Sequence, residues 1–212
     1  MRIAPESWLA AGVAILLAAG CGRAPRPAAE AAGTPAPGGT AGIDAPAGSA
    51  DPALLFDRAG RLLGEGRGTE AAALYEQGLK LNPDDEEARF NLGYLYSRAG
   101  RTNEAIAQYE ACLRILPEYA EAHNNLGNLL RKTGRPAEAL DHLRQAIRHS
   151  PSNSSAHNNL GTALASSGQI NESIPHFVKA AELNPEYAEA WGNLGAAYLQ
   201  QGRPAEAIAP LE

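Results

Sequence analysis

A column of asparagines carries the clearest candidate binding chemistry in this 212-residue chain. Its members are spaced by 34 residues: Asn91, Asn125, Asn159 and Asn193. Two further asparagines, Asn124 and Asn158, stand directly before members of the column. A primary amide both donates and accepts hydrogen bonds, so a row of amides can bind the backbone of an extended peptide. The alternative is that these amides form hydrogen bonds within the protein itself.

The other reactive side chains form no catalytic or metal-binding motif. The sequence contains no HExxH, GxSxG or phosphate-loop motif. His123 with His157, and His142 with His176, recur at the same spacing of 34, as expected of inherited repeats. Equivalent side chains of stacked units lie about 10 Å apart, too far to share a metal ion. We therefore expect no catalytic residue, no metal and no cofactor.

Composition and charge exclude further classes of function. Lys and Arg number 18 against 24 Asp and Glu, whereas nucleic-acid binding favours clustered Lys and Arg. Hydrophobic residues make up 44% of the chain, enough for a packed core, and abundant Ala, Leu and Glu are typical of an all-helical protein. Cys21 and Cys112 are too few for a disulfide framework or a four-cysteine zinc site.

The spacing of 34 also governs the residues that must position the asparagines. It recurs in two further sets, Pro83, Pro117, Pro151 and Pro185, and Gly93, Gly127, Gly161 and Gly195. A period of this length is typical of a helical solenoid. The units are 52–85, 86–119, 120–153, 154–187 and the partial unit 188–212.

Each unit predicts two helices, as the third shows. Apolar side chains at helical spacing predict helix A from about residue 120 to 133, and Gly134 ends it in the left-handed region. Pro136 suits the first turn of helix B, and Pro151 stops that helix. Two such helices cannot bury their apolar faces alone, so neighbouring units must stack.

The units resemble tetratricopeptide repeats over residues 52–212. Positions are counted from the first residue of each 34-residue unit. On that count the segments HNNLGNLLRKTGRPAEALDHLRQAI and WGNLGAAYLQQGRPAEAIAPL carry Leu-Gly at positions 7 and 8 and Ala at position 20. The resemblance implies an all-α, right-handed superhelical solenoid of antiparallel helix pairs. Glycine at position 8 and small residues at position 27, including Cys112, fit a close crossing of helices A and B. The first unit departs most, with Arg58-Ala59 in place of Leu-Gly, and is interpreted as an N-terminal cap.

In tetratricopeptide arrays, position 6 lies on helix A and faces the concave groove. The asparagine column, at that position, resembles the asparagine ladder of the superhelical domain of O-linked N-acetylglucosamine transferases. This resemblance implies that the column, with Asn124 and Asn158, binds an extended peptide largely without regard to its side chains. The carboxylate clamp of some chaperone-binding arrays needs Lys and Arg in the groove. This groove instead has Glu87, Glu121 and Glu189 at position 2, which favours a neutral or basic segment.

Residues 1–20 predict a signal peptide, because the uncharged run from Trp8 to Ala19 is too short to span a bilayer. The segment Leu17-Ala18-Ala19-Gly20-Cys21 resembles the lipobox of bacterial lipoproteins, although Ala18 stands where that family prefers Leu. The resemblance implies cleavage before Cys21 and lipidation of Cys21, for example with palmitate. An ordinary signal peptide or an uncleaved anchor is the alternative. Gly22, where Asp would retain the protein at the inner membrane, implies the outer membrane, facing the periplasm.

Residues 21–51 predict a disordered tether that follows the lipidated cysteine. Ala, Gly and Pro dominate it, and Ile43 is its one large apolar residue. Such a segment cannot bury enough surface to offset its conformational entropy.

The sequence therefore predicts a lipid-anchored scaffold of the bacterial cell envelope that is not an enzyme. Its partner would be a peptide or protein of unknown identity, and neither nucleic acid nor a small-molecule substrate. The alternative is a substrate-recruiting arm of a longer enzyme, for example a glycosyltransferase, because Glu212 falls within the predicted fifth helix B. A spacer without a dedicated ligand is the third possibility.

Overall fold

The computed structural model describes residues 51–208, and that part of the chain folds into ten helices joined by turns. In order, they are α1 Pro52–Gly64, α2 Gly68–Leu81, α3 Glu86–Arg98, α4 Thr102–Ile115, α5 Ala120–Lys132, α6 Pro136–His149, α7 Ser154–Ser166, α8 Ile170–Leu183, α9 Ala188–Gln200 and α10 Pro204–Ile208. None of these helices is long and apolar enough to cross a bilayer. The predicted signal peptide, Cys21 and the tether as far as residue 50 lie outside the described residues.

Odd-numbered helices are helix A and even-numbered helices are helix B of repeats 1 to 5. Each helix A packs against the helix B that follows it, and each helix B packs against the next helix A. The predicted all-α solenoid of antiparallel helix pairs is confirmed.

The turns between helices have clear local causes. Gly134 follows α5 with a φ of 79°, a left-handed conformation that costs glycine little, and the equivalent glycine of every other repeat also has a positive φ. At the start of helix A, the side chain of Asp85 accepts a hydrogen bond from the backbone N–H of Ala88 at 2.8 Å. These signals fix where each helix begins and ends, and hence which side chains share a face.

Helices A and B cross closely at position 8, as predicted. A Cβ atom added at Gly127 would lie 2.7 Å from Cγ of Leu143, and one added at Gly161 would lie 2.6 Å from the Phe177 ring. Repeat 1 has Ala59 at position 8, but it has Gly78 at position 27, directly against the Phe56 ring. The departure in repeat 1 is therefore compensated by a glycine on the opposite helix.

Candidate functional site

The four asparagines of the column lie on α3, α5, α7 and α9, and each is half-buried. Each of them forms a hydrogen bond with a side chain of the preceding repeat. The column therefore links successive repeats, and the linking partner is of two kinds.

In the first kind, the partner is a tyrosine at position 24 of the preceding repeat. Asn125 Nδ2 donates to the hydroxyl of Tyr109 at 3.3 Å, and Asn91 forms the equivalent side-chain hydrogen bond with Tyr75. Burial raises the pKa of Tyr75 to about 12 and that of Tyr109 higher still, so both hydroxyl groups stay protonated.

In the second kind, the partner is an asparagine at position 5 of the preceding repeat. Leu143 and Phe177 occupy position 24 in repeats 3 and 4 and have no hydroxyl group. Asn159 Nδ2 donates instead to Asn124 Oδ1 at 2.8 Å, and Asn193 Nδ2 donates to Asn158 Oδ1 at 2.9 Å.

The structure places Asn158 behind the column. Its side chain is 0% exposed, and its Nδ2 donates to the hydroxyl of Tyr187 at 3.2 Å and to Glu189 Oε1 at 3.3 Å. Its oxygen accepts from Asn193, and because the side chain is fully buried it is not exposed to a ligand. Asn124 is buried as well, at 7% exposed. Both residues are placed to position the column, and their contact with a peptide stays a prediction.

The column asparagines keep part of their hydrogen-bonding capacity. Among the described residues, none donates to Oδ1 of Asn125 or Asn159, and each of these side chains uses one of its two N–H groups. Asn193 Nδ2 makes a second, longer bond to Thr162 Oγ1 at 3.4 Å, which leaves Asn193 its oxygen alone. A donor and an acceptor therefore remain on Asn125 and on Asn159.

A cavity of about 220 Å³ opens between α7 and α9 beside the column. Its walls are Thr162, Ala165, Ser166 and Phe177 on one side and Asn193, Ala196, Ala197 and Gln200 on the other. These lining side chains are small or uncharged. The predicted residue Asn193 thus lines a surface depression that can admit a side chain of a bound partner.

In repeat 3, longer side chains occupy the equivalent positions. Arg131 and Lys132 of α5 stand at the positions of Ala165 and Ser166 of α7. Arg131 Nη2 donates to Asn128 Oδ1 at 3.1 Å, so its long side chain lies across this face. The column is therefore next to the cavity in repeats 4 and 5, and next to long, charged side chains in repeat 3.

Comparison with known proteins gives a family for this arrangement. The family model described as the cilia and flagella-associated protein 70 C-terminal domain, of tetratricopeptide-repeat type, matches residues 62–212. The chain belongs to this tetratricopeptide-repeat family. No curated protein sequence shows a significant match.

Solved structures of tetratricopeptide proteins superpose on the array. A crystal structure of MamA is 25% identical with a TM-score of 0.68, and covers 76% of this chain and 87% of its own. YrrB, described as a TPR protein with an unusual peptide-binding site, is 26% identical with a TM-score of 0.66. The match covers 76% of this chain and 83% of YrrB. A MamA fragment from Desulfovibrio magneticus RS-1, at 22% identity and a TM-score of 0.69, covers 76% and 90% and supports the fold alone.

The histidines of the tetratricopeptide array meet in a way that the sequence analysis missed. His123 Nδ1 lies 2.9 Å from His142 Nδ1 within repeat 3, and His157 Nδ1 lies 3.3 Å from His176 Nδ1 within repeat 4. Position 4 contacts position 23 of the same repeat. The spacing of 34 relates equivalent positions of different repeats, so it does not show this contact. The signal was available, because each of these repeats carries a histidine at both positions.

Other reactive groups of the array have structural surroundings. Cys112 is fully buried, and burial raises the pKa of its thiol to about 12, so it is a packed thiol as predicted. Within residues 51–208, no group of three His, Cys, Asp or Glu side chains is arranged to hold a metal ion.

Proposed function

We propose that the array is a protein-interaction scaffold that binds an extended peptide, or an extended segment of a partner protein, along the asparagine column. The observation that carries the proposal is the donor and acceptor left open on Asn125 and Asn159, one repeat apart and in register. The cavity beside Asn193 supplies a place for one side chain of the same partner. The similarity to YrrB, which is described as having an unusual peptide-binding site, supports this function.

The hydrogen bonds alone predict weak binding. A neutral hydrogen bond contributes about 0.5–1.5 kcal/mol net, so the column supplies a few kcal/mol. That free energy corresponds to a Kd nearer millimolar than nanomolar. Tighter binding would draw on a side chain seated in the cavity or on many copies tethered to one surface.

The binding role can be separated from the structural role of the column with two variants. A peptide is first selected on the full-length chain from a displayed random library, and its Kd is measured by fluorescence anisotropy. Asn125→Ala removes the open amide and should raise Kd about two- to tenfold. Tyr109→Phe removes the internal partner of Asn125 but keeps the amide, and Kd should stay within about twofold.

Each other outcome has a definite meaning. If Asn125→Ala leaves Kd unchanged, the column does not contact the peptide. If both variants weaken binding equally, the column acts by holding the repeats together. Either result would overturn the proposed contact with the peptide backbone.

We further propose that Cys21 is lipidated and anchors the scaffold at the outer membrane, facing the periplasm. The lipobox-like segment before Cys21 supports this proposal, and several acyl chains together give stable anchoring. The test is the intact mass of the protein extracted from membranes of its native host. A mature chain that begins at Cys21 and carries acyl chains is expected. A much larger mass would favour the longer, enzyme-linked protein, and an unmodified Cys21 would overturn the anchor.

A further inference from the structure

The two histidine pairs each contain one ring whose neutral tautomer is fixed by a backbone carbonyl. His123 Nε2 lies 2.8 Å from the carbonyl oxygen of Pro117, and His157 Nε2 lies 3.1 Å from that of Pro151. A carbonyl oxygen can only accept, so Nε2 of both histidines must carry a proton. In the neutral state, Nδ1 of each is therefore the acceptor of its pair.

The partner ring must then hold the shared proton. His142 Nδ1–H donates to His123 Nδ1, and His176 Nδ1–H donates to His157 Nδ1. The ring centroids are 5.1 Å and 5.5 Å apart, close to the N–N distance plus two ring radii, so the rings point at each other. This in-line arrangement is that of an N–H···N hydrogen bond and requires one proton between the two nitrogens.

The pairs join helix A to helix B of repeats 3 and 4. Repeat 2 makes the same connection without a histidine: Arg89 Nη1 donates to Gln108 Oε1 at 3.1 Å, and Arg89 Nε donates to the carbonyl of Pro83 at 2.8 Å. Positions 4 and 23 therefore form a link between the two helices in all three repeats. The link can gain protons in repeats 3 and 4, but not in repeat 2.

Neighbouring charges act on the pairs from several helices. The titratable and charged groups that face the first pair are His149, Glu138, Asp141 and Arg135. Glu138 and Asp141 favour a proton on His142 and Arg135 opposes it, while burial is the largest cause and lowers the pKa of His142. Glu138 is also bound to Arg135 at 2.6 Å, and Asp141 lies 3.7 Å from Arg144. The second pair is faced by Lys179 of α8 and Arg144 of α6, both of which oppose a positive charge.

We propose that the two histidine pairs are acid-sensitive links that hold helices A and B together in repeats 3 and 4 and release them at low pH, while repeat 2 stays closed. A first added proton leaves the N–H···N bond in place but puts a charge on a half-buried pair. A second proton puts two N–H groups face to face, so the hydrogen bond is lost and two like charges repel.

The direction of the pH effect follows from proton uptake. Burial is the main cause that lowers the pKa of all four rings below the ordinary histidine value. The closed repeats therefore bind fewer protons than the opened repeats. Stability is fully present above the ordinary histidine pKa and is lost as the pH falls below it. Acid opening thus raises the fraction of molecules in which α5–α8 are separated.

Opening of repeats 3 and 4 would also displace the asparagine column. Its effect on a bound partner rests on the proposed function. Asn124 directly follows His123 and Asn158 directly follows His157. These two asparagines position Asn159 and Asn193, as described above. A partner bound along repeats 3 to 5 would therefore be released in acid.

The test is amide hydrogen exchange by mass spectrometry on the full-length chain, without any ligand. Between about pH 7.5 and about pH 5.5, after correction for the intrinsic exchange rate, the opening constant of α5–α8 should rise by up to about tenfold for each proton excluded. The opening constant of α3 and α4 should change by less than about twofold. Equal changes in both regions would overturn the proposal.

Repeat 2 supplies the matched variant. H123R/H142Q/H157R/H176Q installs the Arg–Gln link in repeats 3 and 4 and should remove their excess acid sensitivity. Retention of that sensitivity would overturn the proposal. His149→Asn, which changes the exposed ring stacked on His123, should leave most of the pH dependence in place.

A second measurement covers the case in which the quadruple variant fails to fold. Nitrogen-15 NMR of the wild-type imidazole rings reports which nitrogen carries the proton. His123 and His157 should show protonated Nε2, and His142 and His176 protonated Nδ1, at neutral pH. The same tautomer on both members of a pair, or four rings titrating at the ordinary pKa, would overturn the proposal.

Discussion

Repeats 1 to 3 and repeats 3 to 5 use the same asparagine column but tie it to the preceding repeat in different ways. In the N-terminal region the tie is an aromatic hydroxyl, and Phe90 stacks on the neighbouring ring of Tyr119 with centroids 4.9 Å apart. In the C-terminal region the tie is a second amide, and the pair at positions 4 and 23 is histidine. The hydrogen bond from the column to the preceding repeat thus recurs along the array, but with two different kinds of partner.

The residue type at position 24 of a repeat determines which residue type is needed at position 5. With tyrosine at position 24, position 5 is free to be phenylalanine. With leucine or phenylalanine at position 24, the column amide would lose its partner, and asparagine at position 5 restores one. Because a buried unpaired N–H costs about 1–3 kcal/mol, such a compensating change is energetically significant.

Asn158→Ala should give the largest loss of stability. It removes one hydrogen bond from each of three groups, namely Asn193 Nδ2, the hydroxyl of Tyr187 and Glu189 Oε1, and it opens space at a fully buried site. We expect the free energy of unfolding to fall by about 2–4 kcal/mol in urea denaturation. Asn125→Ala, with one hydrogen bond at a half-buried site, should cost about 1 kcal/mol. Equal costs would contradict the distinction between Asn158 and the column.

Gly127→Ala and Gly195→Ala compare the same substitution at two crossings of helices A and B. The new Cβ at Gly127 would lie 2.7 Å from Cγ of Leu143 and 3.1 Å from the backbone oxygen of Ala139, whereas at Gly195 the nearest atom within residues 51–208 is the backbone oxygen of Ala207 at 3.5 Å. The first should lower the free energy of unfolding by about 1–3 kcal/mol. The second should raise it by about 0.5 kcal/mol through helix propensity. Thermal denaturation of both variants checks the opposite signs.

Much of the fold could be predicted because its determinants are local and repeated. Gly134 at a positive φ, Pro136 in the first turn of α6 and Gly127 at the crossing each act on their own helix or its direct neighbour. Five repetitions of one pattern then make each signal readable.

The candidate site was less predictable, because its hydrogen bonds join residues that do not occupy equivalent positions. The column was found by its spacing, but the burial of Asn158 depends on Tyr187 and Glu189 of the next repeat. The contact of His123 with His142 likewise depends on the rotation of α5 against α6. A period of 34 shows which residues are equivalent, and it does not show which unlike positions meet.

Tyr109→Phe should have a smaller effect than Asn158→Ala or Gly127→Ala. It removes the hydroxyl that accepts from Asn125 and keeps the buried ring in place. We expect a loss of about 0.5–1.5 kcal/mol in urea denaturation, because Asn125 is half-buried and water can replace the hydroxyl. A loss above about 3 kcal/mol would mean that the Tyr109 hydroxyl, rather than the packing of the repeats, is the main contact that holds repeats 2 and 3 together.

Phe177→Tyr should have the smallest effect alone and the most informative effect in combination. Phe177 and Asn193 line the same cavity, so a new hydroxyl on the ring has space and can accept from Asn193, as Tyr109 does for Asn125. In the wild type, Asn193 already donates to Asn158, and the free energy of unfolding should change by less than about 0.5 kcal/mol. With Asn158→Ala present, the same substitution should recover about 0.5–1.5 kcal/mol, because the new hydroxyl replaces the acceptor that Asn193 has lost. A double-mutant cycle in urea measures this coupling, and a coupling of zero would show that positions 24 and 5 do not substitute for each other.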